Sequence, residues 1–237
     1  MNNLVSVLIP SYKGVPYLKN CSLRSVLNQT YTNYEIIIVN DGISPETKNF
    51  VDRLNNSKIR YYEFHKYALG VEDSGWALSG AINRNRCLDL VKGDFIAPLD
   101  QDDIWGPNCL KDKIDFFNKY PNTDLVYGKA YNISYDKEVS VIGHPFTEET
   151  REMYRIGNGH NCIPHLSVVY RSDLKKYKYP EKGKIAADYT LWRSIINSGH
   201  TISFLDKMDS LRNGNNNTTE GLDKIYLKLF KKNFNYL

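Results

Sequence analysis

Four cysteines in 237 residues, none of them spaced as CxxC, are too few and too scattered for a zinc ribbon or a disulfide framework. Cys21, Cys87, Cys109 and Cys162 are therefore expected as buried thiols in a reducing compartment. No apolar run approaches the roughly 18–20 residues of a membrane span. An apolar strand pattern begins as early as Leu4, so no secretion signal is expected, and the expected location is the cytoplasm. Neither GxGxxG nor GxxxxGK(S/T) occurs, which weakens dinucleotide and P-loop readings. The net charge of +4 is too small to point to nucleic acid, although a weak positive field suits a substrate that carries phosphate. No repeat and no linker composition divides the chain, so one domain over residues 1–237 is expected.

The pattern that is present alternates. Leu4–Ile9, Glu35–Val39, Ile59–Phe64 and Asp94–Leu99 read as strands, the second almost wholly β-branched, as in a parallel strand covered on both faces. Between them Pro16–Asn28, a segment capped by Ser44 and running to about Asn55, and Leu78–Val91 read as helices. Pro107–Tyr120 is a further helix and Leu125–Ile133 a further strand. The prediction is an α/β fold with a Rossmann-like, mostly parallel central sheet flanked by helices. Beyond residue 133 the pattern is less regular. Val139–Ile142 is expected to pair with the preceding strand as a hairpin, Ser167–Tyr170 is a short strand, and Asp188–Asn197 and Leu222–Lys232 are helices. Asn213–Thr219 is a polar loop.

Chemistry concentrates where the Asp94–Leu99 run ends in Asp100-Gln101-Asp102-Asp103. An isolated Asp-x-Asp is commonly a solvated turn, but here a buried strand leads in and Ile104-Trp105 follows. Ligands of open α/β sheets bind beyond the carboxyl ends of strands, so Asp41, which ends another strand, is expected to share a crevice with this cluster. Carboxylates there converge on a hard cation, with phosphate oxygens completing the shell, and Mg2+ or Mn2+ suits such all-oxygen ligation. Asp102 is the expected ligand, with Asp100 beside it on the metal, the ribose or a second-shell water. Asp41 either caps the next turn or accepts from a base N–H. Arg84 and Arg86 are solvated, or one of them holds phosphate. Asp188 is the candidate general base, with a helix cap as its alternative. His160, His165 and Trp105 are candidates for an acceptor pocket, or else they simply pack.

These motifs in this order resemble the nucleotide-sugar glycosyltransferases of the A-type fold, specifically the large, mostly inverting family 2. VSVLIPSY at Val5–Tyr12 is similar to that family's first strand, and Ser25–Gly42 to its next segment. Arg84-Asn85 and Gly93–Asp103 complete a donor half covering roughly residues 4–133. The acceptor half, about 134–237, is recognisable through Ile163–Ser167 and Ala187–Trp192. The resemblance implies Pro10, Tyr12 and Asp41 around base and ribose, Arg84 beside the nucleotide, Asp100 and Asp102 on ribose and metal-bound diphosphate, and Asp188 as base. It implies a nucleotide-sugar donor, UDP by family weight, and a glycan or lipid-linked saccharide acceptor.

Two departures stand out. Ala187-Asp188 replaces a common Glu-Asp, and Gly214 falls where many relatives carry a metal-binding histidine, while Arg212 remains to stabilise a diphosphate. A nucleotidyltransferase is the rival enzyme, although Ser11–Gly14 is a poor version of its glycine-rich loop. A catalytically silent sugar-binding module on the same fold is the rival of another class. The basic-aromatic stretch Lys224–Lys232 reads as a membrane-surface helix, giving peripheral contact at the cytoplasmic face, or as a packed terminal helix. Self-association is compatible with the resemblance.

Overall fold

The computed structural model describes residues 3–64, 80–134, 138–157, 161–182, 185–214 and 222–231. Three parallel pairings build the first half. Strand β1 (Val5–Ser11) lies between β2 (Tyr34–Asp41) and β4 (Phe95–Pro98), and β3 (Ile59–Phe64) flanks β2. Pro10 is tolerated in a central strand because β1 pairs with β4 only as far as Leu8. Successive residues feed opposite faces. Val7, Ile9, Ile36 and Ile38 enter one core, while Leu8, Ile37 and Val39 enter the other. Burial on both faces is why these runs are mostly apolar, with the buried Ser6 and Glu35 bonded to each other.

The helices of this half are α1 (Val15–Asn20), α2 (Ser22–Leu27), α3 (Pro45–Arg53) and α4 (Ala81–Asp89). The helix expected over Pro16–Asn28 is thus two, broken at Cys21, whose φ of −125° and ψ of −99° fit neither. The break lets Leu18, Leu23 and Val26 all reach the same core. The expected start of α4 at Leu78 lies outside the described residues.

Strand β5 (Ile104–Trp105), helix α5 (Cys109–Lys119), β6 (Leu125–Ile133), β7 (Val139–Ile142) and helix α6 (Glu148–Ile156) come next. A 3₁₀ turn at His165–Ser167 leads into β8 (Val168–Arg171), then α7 (Ala187–Asn197), β9 (Ile202–Asn213) and α8 (Leu222–Phe230). One sheet runs through both halves in the order β3-β2-β1-β4-β8-β6-β9-β5, with β7 paired antiparallel to β6 as the hairpin expectation required. β8 is antiparallel to β4 and β6, and β9 is parallel to β6. Strands β5 and β9 and helix α6 are additions that the sequence pattern did not predict. The apolar side of α8, Leu222 and Tyr226 with Ile225, Leu229 and Phe230, packs on Cys21, Ile104, Ile133 and Leu211. The packed-helix alternative therefore holds, and that face is unavailable for insertion into lipid.

Candidate active site

Strands β1, β2 and β4 stop together and deliver their last residues to one cleft. A cavity of about 590 Å³ is lined by Pro10, Tyr12 and Asp41 from one side and by Asp100, Asp102 and Asp103 from the other. Arg84, Arg212 and Gly214 complete this wall. Asp41 and the acidic turn thus face each other as the strand-end argument required. A second cavity of about 330 Å³ holds Asn161, His165 and Asp188, and it shares Arg84, Asp100, Asp103 and Arg212 with the first. The two open onto a common wall of two cations and two carboxyl groups.

The turn after β4 is held by Gln101. Its Oε1 accepts from the Tyr12 N–H at 2.9 Å and the Ser11 hydroxyl at 3.1 Å, and its Nε2 donates to the Tyr12 carbonyl at 3.2 Å. This amide ties the β1 loop to the acidic turn. Sequence reasoning passed over it, although its place between Asp100 and Asp102 was a usable signal. Asp41 does not cap the turn after β2. No described partner bonds its side chain, and helix α3 beyond the turn is capped by Ser44, which accepts from the Thr47 N–H at 3.3 Å.

Arg84 Nη2 donates to both oxygens of Asp100, at 2.7 and 2.8 Å. Burial works against charge on both groups, yet their mutual attraction outweighs it. Arg84 is held as a cation, and Asp100 lies below the usual carboxylate range. Arg86 lines neither cavity; it donates to Asn83 Oδ1 at 3.0 Å and covers the Phe64 ring. Asp102 contrasts with Asp100. Burial and the negative charge of Asp100 push its pKa up to about 6, and no described residue forms an ion pair with it. Asp103 is more deeply buried, lies well above the usual range for the same reasons, and accepts from the Asn213 N–H at 3.0 Å.

In the second cavity Asp188 sits in the first turn of α7, beyond an N-cap at Ala186, so it is not the cap residue. Its Oδ2 accepts from Asn161 Nδ2 at 2.7 Å. His165 places Nε2 2.9 Å from the Tyr179 hydroxyl and Nδ1 3.9 Å from Asp100, and burial pushes its pKa down, favouring the neutral imidazole. Trp105 is a correction. It is fully buried and its indole N–H donates to the Leu166 carbonyl at 2.6 Å, so it supports the 3₁₀ turn from behind and touches no acceptor. His160 lies outside the described residues.

The fit to a divalent cation is narrow. Among the described residues no three His, Cys, Asp or Glu side chains converge on one point. The oxygens of Asp100 are committed to Arg84, so Asp102 is the carboxylate open to a metal. Gly214 supplies none: a Cβ there would stand 2.3 Å from the Ile133 carbonyl oxygen. What fits is a cation with one firm protein ligand and its remaining positions filled by phosphate and water.

The model of the glycosyl transferase family 2 matches residues 6–178. An Escherichia coli protein named UDP-Glc:alpha-D-GlcNAc-diphosphoundecaprenol beta-1,3-glucosyltransferase WfgD is 33% identical over 195 residues, covering 81% of this chain and 70% of its own. An uncharacterized glycosyltransferase of Rickettsia felis is 32% identical over 205 residues, but this chain spans only 31% of its length. Among solved structures, S. aureus TarS bound to UDP-GlcNAc superposes with a TM-score of 0.64 at 20% identity, covering 95% of this chain and 65% of that one. The mannosyltransferase PcManGT of Pyrobaculum calidifontis, with GDP-Man and Mn2+, does so at 0.60 and 13%, covering 88% and 56%. At such identities these likenesses establish the A-type fold. With a family match that runs from β1 past β8, the chain belongs to glycosyl transferase family 2 and is a glycosyltransferase.

Proposed function

We propose that the chain transfers a sugar from a UDP-sugar to a hydroxyl of a lipid-linked saccharide, inverting the anomeric centre, with Asp188 as general base. The observation that carries this reading is the shared wall. The cavity beside Asp41 and Asp102 and the cavity beside Asp188 meet at Arg84, Asp100, Asp103 and Arg212, so a donor in one presents its sugar to an acceptor in the other. The printed names of the relatives support the donor and acceptor classes, since WfgD and WfaP of Escherichia coli are both named for UDP-Glc and a diphosphoundecaprenol acceptor.

In this mechanism the base and ribose lie against Pro10, Tyr12 and Asp41, and the diphosphate lies toward Asp102 and Arg212. Asp188 takes the proton of the acceptor hydroxyl as that oxygen bonds to C1 of the sugar. The C1–oxygen bond to the diphosphate breaks on the opposite face, and UDP departs with the electron pair. One displacement inverts C1. The charge gathering on the leaving phosphate is met by Arg212. A divalent cation, when bound at Asp102, supplies further neutralisation of that phosphate.

The test is UDP release and sugar transfer from UDP-glucose and UDP-GlcNAc, given a diphospholipid-linked N-acetylglucosamine. Asp188→Asn should lose turnover while keeping donor binding, and Asp102→Asn should lose both. Donor binding without turnover in the unaltered protein would favour the silent module instead.

A further inference from the structure

The side chain of Asp188 is not left to find its own orientation. Asn161 Nδ2 donates to Asp188 Oδ2 at 2.7 Å, while Asn161 Oδ1 accepts from the Tyr154 hydroxyl at 2.7 Å and from the Ile163 backbone N–H at 3.3 Å. A backbone N–H can only donate, so it fixes which end of the amide is oxygen and turns the NH2 toward Asp188. Tyr154 is itself immobilised. It is fully buried, stacks on Tyr189 of α7 at 5.0 Å, and its own backbone carbonyl accepts from Arg193 Nε at 3.0 Å. The result is a relay from α6 to the first turn of α7 that occupies one oxygen of Asp188 and leaves the other without a described partner.

We infer that Asn161, oriented by Tyr154, is a positioning residue that fixes the orientation of the Asp188 carboxylate and selects the oxygen that receives the acceptor proton. This rests on the proposed role of Asp188 as base. The other groups around Asp188 are Arg84 from α4, His165 from the 3₁₀ turn and Tyr179, with Asp100 and Arg212 on the shared wall. Arg193, on the same helix, is turned onto the carbonyls of Tyr154 and Arg155.

The test is UDP release from UDP-glucose measured beside donor binding, both in the full chain. Asn161→Ala should lower kcat on the order of tenfold while the Kd for UDP-glucose stays unchanged, and Tyr154→Phe should lower kcat less, in the same direction. Should Asn161→Ala not fold, Tyr154→Phe carries the test. An unchanged kcat, or a loss of donor binding that matches the loss of turnover, overturns the inference alone. Turnover that survives Asp188→Asn overturns the base reading and this inference with it.

Discussion

Asp100, Asp102 and Asp103 are neighbours in sequence but occupy three electrostatic situations. Asp100 is satisfied by Arg84, Asp103 is buried on a backbone N–H, and Asp102 is left with raised pKa and no ion pair to a described residue. A carboxyl whose folded pKa of about 6 exceeds its ordinary 3.8 holds its proton more tightly in the folded chain. Its effect on stability is therefore absent below the ordinary value. The fold then loses on the order of 3 kcal/mol as pH rises through roughly 4 to 6. Asp102→Asn should remove that loss. The ligand-free variant is expected to melt at higher temperature than the parent at pH 7.5 and at nearly the same temperature at pH 4, while turnover disappears. Equal melting at both pH values would mean that the Asp102 carboxylate is not strained by its site. Such strain is what a site built for a positively charged partner stores when empty. The place of this triplet at the end of a buried strand, in a cavity shared with Asp41, was legible in the sequence because an apolar run leads into it. The division of labour within it was not, because that depends on where Arg84, on α4, comes to rest.

The elements divide in the same way. β1, β2 and β4 were readable because both faces are buried and most of their positions are apolar. β9 was not, since Ile202–Asn213 carries Asp206, Lys207, Asp209 and Arg212 and shows no strand period. Its burial makes sense only with partners far away in sequence. Asp209 pairs with the fully buried Lys113 of α5 and accepts from the Ser167 hydroxyl at 2.7 Å. Gly128 sits where β6 shifts register against β9, and a Cβ there would stand 2.3 Å from Asp209 Oδ2. This ion pair thus joins α5, β9 and the turn that presents His165. Lys113→Met should cost about 3–5 kcal/mol, because it strands a buried carboxylate. Adding Asp209→Asn should return most of that, as measured by denaturant unfolding of the single and double variants. At the far end of the same strand pair, Gly214→Ala should cost about 1–3 kcal/mol through its approach to Ile133. Gly214→His should accordingly lower Tm without raising affinity for Mn2+. A tighter Mn2+ site in that variant would show that the end of β9 can open to make room for a third ligand.

The sheet carries both cavities on one frame, and Arg212, at the end of β9, lines both of them. Asp100 engages Arg84, Asp209 engages Lys113, and Asp124 lies 3.2 Å from His200. No described side chain bonds the guanidinium of Arg212, which is left available to a diphosphate. Its exposure lets a ligand reach it, and its place on the shared wall sets it, in the proposed mechanism, where donor and acceptor meet. A cation in that position gains most when the departing phosphate bears most charge, so its removal should depress kcat as well as weaken donor binding. Arg212→Ala should lower kcat/KM for the UDP-sugar about 30-fold, the equivalent of roughly 2 kcal/mol for one charged hydrogen-bonding group. Arg212→Lys should restore part of this through charge alone, and Arg212→Gln should restore little. If the alanine variant raised only the KM for the acceptor, the guanidinium would belong to the acceptor cavity, and the diphosphate would depend on Asp102 and its cation.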